Sequence, residues 1–423
     1  MEILKSAAAP VPESAGTRSD ALGAAATPGA VSGGRRLASV DGLRAVAAMW
    51  VVLFHIRVFS GAHLTMVRPL DFLIRSGSTG VSLFLVLSGF CLYLPFAAGR
   101  AARFSAGRFL IRRARRLLPA YYASLLLALV LNLAGAGRLG FAQLSPQAAL
   151  GQIVTHLTLT HTLLPSTFYA LNGAYWSLGL EWQLYLALPL LIISVRHFGL
   201  TRTVLGVSLV NVVYRLALAA AAGQHLIPPG TLLSVVLPNQ LPGRWAEFAF
   251  GMVAAELYAK GTLDRCIPYL RFAWLPLVVA AVATRGDPLS HILFGAVFFL
   301  LLVAALGQIR FVSAILAWPP LVALGVMSYS VYLVHQPLIQ AGAYVLRHWL
   351  HLSPLDTFAA LLALLPVILG VAWVLFVTVE RRTVTSHPSG LSRTGSRLLF
   401  PTWHTPKQRV TAAEAPAAAT PHI

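Results

Sequence analysis

The sequence predicts an all-α fold, a polytopic membrane helical bundle of about ten transmembrane helices. Of its 423 residues, 57% are hydrophobic and only 11% are charged, and the mean hydropathy is +0.74. A soluble domain usually has about 25% charged residues. Several apolar stretches, such as 293–306 and 358–379, approach the roughly 20 residues that a helix needs to cross a bilayer. Lipid rather than water must therefore solvate most of this surface.

Hydropathy and turn residues divide the chain into candidate spans. The ten predicted spans are residues 41–60, 78–98, 117–135, 176–195, 202–222, 242–260, 270–284, 289–307, 321–345 and 358–380. The one long connection, 135–175, contains a less hydrophobic stretch at 146–164, for which an interfacial or re-entrant helix is predicted.

The distribution of basic residues predicts the orientation. The net charge of +19 would suggest nucleic acid in a soluble protein, but in a membrane protein it first indicates topology. With a cytoplasmic N-terminus, 23 Lys and Arg lie on the cytoplasmic side and 7 outside. This asymmetry favours an N-in/C-in topology with an even number of crossings. No nucleic-acid partner is expected.

Composition also predicts the domain boundaries. Residues 1–36 are rich in Ala, Pro, Gly and Ser and contain no cleavable signal, so a disordered cytoplasmic tail is expected. The membrane domain covers 37–382, and a second disordered cytoplasmic tail covers 383–423. Cys91 and Cys266 show no metal-ligand spacing, so neither a metal site nor a disulfide framework is indicated.

Ionisable groups within the spans are candidate functional residues, because burying a charge in lipid costs a few kcal/mol or more. Arg44 and His55 are eleven positions apart in the first span, which places both on one helix face about 16 Å apart. The alternative is an arginine that reaches the headgroups and a histidine satisfied by a neighbouring helix. Their shared face favours a functional pair.

Further polar residues lie at the ends of other spans. Arg113 and Arg116 are helix neighbours that either anchor the helix to anionic lipid or bind phosphate through forked hydrogen bonds. Glu181 lies at the same predicted depth as His55, so we expect the two side chains to pair. Trp176 has an alternative role in the aromatic belt. His335, followed by proline, marks either a second polar site or a packing kink.

These segments together resemble the acyltransferase 3 family of bacterial integral-membrane acyltransferases, whose members O-acylate sugars, polysaccharides, lipids and antibiotics. The similar motifs follow the family's order over roughly 37–380. They are Asp41-Gly42-Leu43-Arg44 with His55, Phe84-Leu85-Val86-Leu87-Ser88-Gly89-Phe90, Arg113-x-x-Arg116-Leu117-Leu118-Pro119, Trp176-Ser177-Leu178-x-x-Glu181, and the stretch from Ser328-Tyr329 to His335-Gln336-Pro337.

The resemblance implies roles for individual residues. It implies that His55 is catalytic and that Arg44, Arg113 and Arg116 serve acyl-CoA use. Through the other motifs it adds Asp41, Trp176, Ser177, Glu181, Tyr329 and His335 as site residues. Some relatives carry a further soluble hydrolase-like domain, which is not expected here.

Residues and resemblance together predict an O-acyltransferase of the bacterial cytoplasmic (inner) membrane. Acyl-CoA is the expected donor substrate, no permanently bound cofactor is expected, and the acceptor is a hydroxyl of a carbohydrate, lipid-linked glycan or glycosylated metabolite. His55 acts as a general base assisted by Glu181, or is itself acylated. The alternative is a transporter or flippase in which His55, Glu181 and His335 form a proton relay.

Overall fold

The computed structural model describes residues 37–64, 67–99, 104–134, 144–228, 230–307 and 309–385. These ranges are predominantly helical and contain no strand, which confirms the predicted all-α membrane fold. The α-helices in this part of the chain are α1 (Ala38–Ser60), α2 (Arg68–Arg75), α3 (Gly80–Ala97), α4 (Ala106–Leu133), α5 (Pro146–Leu157), α6 (Tyr175–Gly223), α7 (Leu232–Val236), α8 (Leu241–Ala259), α9 (Ile267–Ala283), α10 (Ser290–Leu306), α11 (Arg310–Leu316), α12 (Pro319–Val326), α13 (Ser328–His348), α14 (Pro354–Ala363), α15 (Leu365–Leu375) and α16 (Arg381–Thr385).

Each of the ten predicted spans coincides with a helix, a bent helix pair or half of a broken helix. By length and apolarity, four helices of the described ranges are able to cross a membrane, or up to seven if each bent pair counts as one span. The polytopic character is therefore established, whereas ten crossings and the N-in/C-in orientation remain predictions.

Two predicted spans correspond to the two halves of α6, whose helical geometry is interrupted at Gly199. This residue has φ +79° and ψ 162°, a conformation that is almost exclusive to glycine. The two halves on either side agree with the predicted spans 176–195 and 202–222.

Helix α4 begins eleven residues before the predicted start at 117, so that boundary was wrong. Ser105 caps the helix by accepting a hydrogen bond from the backbone N–H of Arg108. Hydropathy misses this first part because it is rich in arginine, which is nevertheless a good helix former. Arg113 and Arg116 therefore lie inside α4, which agrees with their prediction as helix neighbours.

The C-terminal helices are interrupted by two bends and by a π-helical segment. Helices α12 and α13 meet at a 72° bend, and α14 and α15 meet at 45°. A π-helical segment, Phe376–Glu380, then joins α15 to α16. Such π segments are frequent at functional sites. The last helix reaches Thr385, three residues beyond the predicted boundary, while the rest of the two predicted tails lies outside the described residues.

Close backbone contacts hold the bundle together at glycines. A side chain at Gly89 of α3 would lie 2.0 Å from the carbonyl oxygen of Phe248 in α8, and one at Gly251 would lie 2.0 Å from that of Val86. Small residues permit this approach between membrane helices. The buried side chains form two clusters, and Tyr329 packs against both. This residue therefore lies where the two clusters meet.

Candidate active site

Three predicted arginines converge on one cavity, here called the arginine cavity. Arg44 comes from α1, and Arg113 and Arg116 come from α4. The volume is about 100 Å³, well below the roughly 300–1,000 Å³ usual for small-molecule sites. The cavity therefore has room for part of a ligand, and the bulk of a large one must remain at the mouth.

The guanidinium groups of this cavity keep their hydrogen-bonding capacity. None of the three donates a hydrogen bond to a protein group of the described ranges. Arg113 is held by ring contacts, with its guanidinium carbon 5.6 Å from the centre of Phe109 and 5.8 Å from that of Tyr185. Forked donors that protein groups leave unused suit a phosphate ligand.

Two carboxylates share the cavity with the arginines. Glu181 accepts hydrogen bonds at Oε1 from the Ser88 hydroxyl at 3.3 Å and from the Tyr185 hydroxyl at 2.5 Å. Glu380, from the π-helical segment, accepts a 2.6 Å bond from Ser330. Three guanidiniums against two carboxylates leave a net charge of +1, which favours an anionic ligand.

His55 lies in a second cavity, here called the histidine cavity, at the opposite end of α1 from Arg44. Its volume is about 450 Å³, and Phe54, Trp176 and Gln336 are among the residues that line it. Trp176 stacks on Phe168, with ring centres 5.9 Å apart. This volume is within the range usual for small-molecule sites.

Hydrogen bonds determine the protonation pattern of two histidines here. The Nδ1 of His335 lies 2.7 Å from the carbonyl oxygen of Tyr332, and a carbonyl only accepts, so Nδ1 carries the proton. In the neutral ring, Nε2 of His335 is therefore an acceptor. It lies 3.3 Å from Nδ1 of His55, which is also 2.9 Å from the carbonyl oxygen of Val51. Nδ1 of His55 is thus the donor, and its Nε2 keeps the lone pair.

Tyr332 and Val81 line both cavities and mark the boundary between them. The Tyr332 hydroxyl donates to the carbonyl oxygen of Ala174 at 2.9 Å and makes a short hydrogen bond with Ser177. Ser177 and the carbonyl group of Ala174 therefore position the aromatic ring that separates the cavities. Tyr329, one turn earlier, donates a 3.0 Å hydrogen bond to the carbonyl oxygen of Leu117 in the arginine cavity.

The predicted pairing of Glu181 with His55 was wrong. Glu181 lines the arginine cavity, and the imidazole that contacts His55 belongs to His335. Depth estimated from hydropathy located both residues along the bundle axis only roughly, and it carried no information on neighbouring helices. In the transporter alternative, Glu181 therefore lies in a different cavity from His55 and is not its partner in a proton relay. His335 does contact His55.

The other predicted residues are distributed between the two cavities. Arg44, Arg113, Arg116, Ser177, Glu181 and Tyr329 line the arginine cavity, whereas His55 and Trp176 line the histidine cavity. Asp41 is buried in the first turn of α1, where its charge acts on Arg44.

Sequence reasoning assigned no role to four residues that the structure adds. They are Ser88, Tyr185, Tyr332 and Glu380. Glu380 lies inside a predicted span. Because a charge in lipid is costly, its carboxylate could have been recognised from the sequence as a candidate functional group. Tyr185 follows Glu181 at i+4, the spacing of helix neighbours.

Comparisons with known proteins match most of the chain to one family. The sequence profile of the acyltransferase 3 family, described as an acyltransferase domain, matches residues 37–377. The chain is 26% identical over 340 residues to the peptidoglycan O-acetyltransferase OatA of Listeria monocytogenes, covering 73% of this chain and 50% of that protein. It is 27% identical over 349 residues to the "Putative peptidoglycan O-acetyltransferase YrhL" of Bacillus subtilis, covering 72% and 49%.

A third relative matches over most of its length. This protein, the "Putative membrane-bound transacylase BcsY" of Komagataeibacter xylinus, is 27% identical over 367 residues, covering 82% of both chains. The chain thus spans about half the length of the first two relatives. No solved structure gave a significant match. The profile match over most of the chain, with the motif residues gathered around two cavities, shows that the protein belongs to the acyltransferase 3 family of membrane acyltransferases.

Proposed function

We propose that the protein is a membrane O-acyltransferase that moves a short acyl group, such as acetyl, from acyl-CoA to a hydroxyl of a carbohydrate. Two relatives are named as peptidoglycan O-acetyltransferases and one as a transacylase, which supports a carbohydrate acceptor. The bacterial cytoplasmic membrane, with the arginine cavity toward the cytoplasm, is the corresponding location.

The arginine cavity is the donor site in this proposal. Arg44, Arg113 and Arg116 bind phosphates of acyl-CoA at the mouth, and the pantetheine arm continues inward. Arg44 and His55 belong to one unbroken helix and are about 16 Å apart along it, a distance that an extended arm covers. The small volume of the cavity agrees with a narrow passage for the arm rather than a pocket for the whole coenzyme.

His55 is the general base in the histidine cavity. Its Nε2 lone pair accepts the proton of an acceptor hydroxyl while the hydroxyl oxygen attacks the thioester carbon. The C–S bond breaks, coenzyme A leaves as the thiolate, and the proton on His55 is available to it. His335 accepts a hydrogen bond from Nδ1 of His55 and so holds the ring in the tautomer that this step requires.

Glu181 has a different role from the one its depth suggested. It accepts hydrogen bonds from the Tyr185 and Ser88 hydroxyls and attracts the Arg113 guanidinium. Glu181 therefore positions side chains of the arginine cavity rather than the imidazole of His55. Tyr332 stands between donor and base, so the acyl group passes beside its ring.

The observation that carries this proposal is the junction of the two cavities at Tyr332 and Val81, with arginines on one side and His55 on the other. The test is purified protein in vesicles with acetyl-CoA and a panel of oligosaccharides. We expect release of coenzyme A that depends on the sugar, and a mass increase of one acetyl group on the sugar. Sugar uptake into the vesicles without thioester cleavage would instead favour the transporter.

A further inference from the structure

A third cavity lies next to the histidine cavity, between the end of α6, helix α7 and the beginning of α10. We call it the Arg215 cavity, and its volume is about 460 Å³, within the range of small-molecule sites. Arg215, Arg285, His291 and Asp287 contribute its charged or titratable groups, and much of the remaining wall is apolar. The acyl-transfer steps described above use none of these four residues.

Arg215 is a buried cation held in place by neutral groups. It is 4% exposed, and it donates from Nε to the carbonyl oxygen of Gly243 at 2.7 Å and from Nη1 to that of Pro288 at 2.7 Å. A third bond runs from Nη2 to the carbonyl oxygen of Pro238 at 3.2 Å. A guanidinium has five N–H donors, so two remain for a ligand. Since its bonded partners are carbonyls, no bonded carboxylate neutralises its charge.

His291 contributes a further donor. Its Nδ1 lies 2.9 Å from Nη1 of Arg244, and a guanidinium never accepts a hydrogen bond. Nδ1 of His291 is therefore the acceptor, the ring is neutral, and Nε2 carries the proton. That N–H is a fixed hydrogen-bond donor in the wall of the cavity.

The charges around this cavity do not cancel. Arg244 forms a buried ion pair with Glu247 at 2.8 Å, which accounts for one guanidinium. Arg215 and Arg285 remain, with Asp287 as the carboxylate in the lining. Arg285 is tied to the wall by a 2.9 Å bond to the Ser76 hydroxyl and a 2.8 Å bond to the carbonyl oxygen of Arg75. The site therefore favours a ligand with one negative charge.

The Arg215 cavity borders the histidine cavity at Ser78, which lines both. We propose that the Arg215 cavity binds the negatively charged group of the acceptor, a carbohydrate that carries a carboxylate or phosphate, so that a hydroxyl of the same molecule reaches His55. This inference rests on the proposed function, since it names the acceptor class of the same enzyme. The apolar walls accommodate the carbon faces of the sugar.

Direct binding tests the inference without any acyl transfer. The probes are a neutral glucose tetrasaccharide and the same tetrasaccharide with one terminal primary alcohol oxidised to a carboxylate. Both are titrated calorimetrically against full-length protein in phosphatidylcholine vesicles. We expect the carboxylated sugar to bind roughly tenfold more tightly, the effect of a charge-assisted hydrogen bond. Arg285→Gln should remove that preference and Arg285→Lys should keep most of it. Arg68→Gln, an exposed arginine of α2 outside the cavity, should leave it unchanged.

Equal binding of the two sugars by the wild type, or a preference that survives Arg285→Gln, would overturn the inference. A preference lost on adding phosphatidylglycerol would also overturn it, because the cavity would then bind a lipid phosphate. Acetyl transfer to both sugars is measured in parallel. Transfer without a preference defeats only this inference, whereas a preference without transfer to either sugar retains the anion-binding cavity and counts against the proposed function.

Discussion

The side chain of His55 combines two features that a general base requires: a tautomer set by hydrogen bonds, and a position in a cavity large enough for an acceptor. His55→Ala removes the base but leaves α1 intact, so insertion should be normal. We expect kcat to fall about 10²–10⁴-fold if His55 is a base, and almost completely if it is an obligatory nucleophile.

The control for this variant is His63→Ala, because His63 is exposed beyond the same end of α1. Acetyl transfer is measured at equal amounts of membrane protein. If His55→Ala retains activity within a few-fold of wild type, His55 has only a packing role and the assignment fails.

The forked geometry of the Arg113 guanidinium leads to a second prediction about a single residue. Arg113→Lys keeps the positive charge but loses both the planar fork and the stacking on Phe109 and Tyr185. We expect KM for acetyl-CoA to rise roughly tenfold, with a smaller effect on kcat. Arg112→Lys is the matched control, because Arg112 is the preceding residue and its side chain is exposed and lies outside the cavity. An unchanged KM in Arg113→Lys would favour the lipid-anchor interpretation.

At the scale of helices, the contact between α3 and α8 positions Ser88 for Glu181. Gly89 follows Ser88, and an added Cβ there would lie 2.0 Å from the carbonyl oxygen of Phe248. Gly89→Ala must push the two backbones apart, so we expect a clearly lower melting temperature and weaker activity. Gly206→Ala in α6, where no atom lies within 4 Å of the added Cβ, should melt like the wild type. Equal melting of both variants would contradict the proposed contact.

Two stacked imidazoles, of His156 in the last turn of α5 and of His161 in the segment that follows it, have ring centres 4.3 Å apart. Burial, and secondarily the neighbouring His156, lower the pKa of His161 to about 3. The unfolded segment binds a proton below about pH 6.5, whereas the folded one stays neutral until about pH 3. The contribution of the neutral His161 to the free energy of unfolding is therefore complete above pH 6.5. It is lost as the pH falls from 6.5 towards about 3.

Melting curves at pH 7.5 and pH 5 test this dependence. The melting temperature should be lower at pH 5, and His161→Gln should reduce the difference because the amide does not titrate yet can donate to the carbonyl oxygen of Tyr175. The control is His63→Gln, an exposed histidine. A pH difference in His161→Gln as large as in the wild type would exclude His161 as its source.

For the whole molecule, the N-in/C-in orientation determines which cavity meets which compartment. In a background of Cys91→Ser and Cys266→Ser, an impermeant maleimide added to intact cells should label His63→Cys but not Gly107→Cys. Permeabilised cells should label both, because both positions are exposed. Labelling of Gly107→Cys in intact cells would reverse the topology and place the arginine cavity outside.

The sequence alone was sufficient for the fold class, and it selected most of the candidate residues that line the two cavities. Lipid solvation requires long apolar helices, and this requirement is visible in hydropathy without any tertiary contact. Arg44 and His55 were placed on one helix face because the helical repeat relates residues of a single element. The same local rule applies to Arg113 and Arg116.

Only the tertiary structure decided which helices face one another, and this changed the site. Glu181 was predicted to pair with His55 from depth alone, but depth does not specify the neighbour of a helix face. In the folded chain α3 and α4 bring Ser88 and Arg113 to Glu181, while α13 brings His335 to His55. The separation of the two cavities by Tyr332 likewise depends on contacts between residues that are 158 positions apart in sequence. Periodicity within one element contains no information on such contacts, because they arise only when the helices pack.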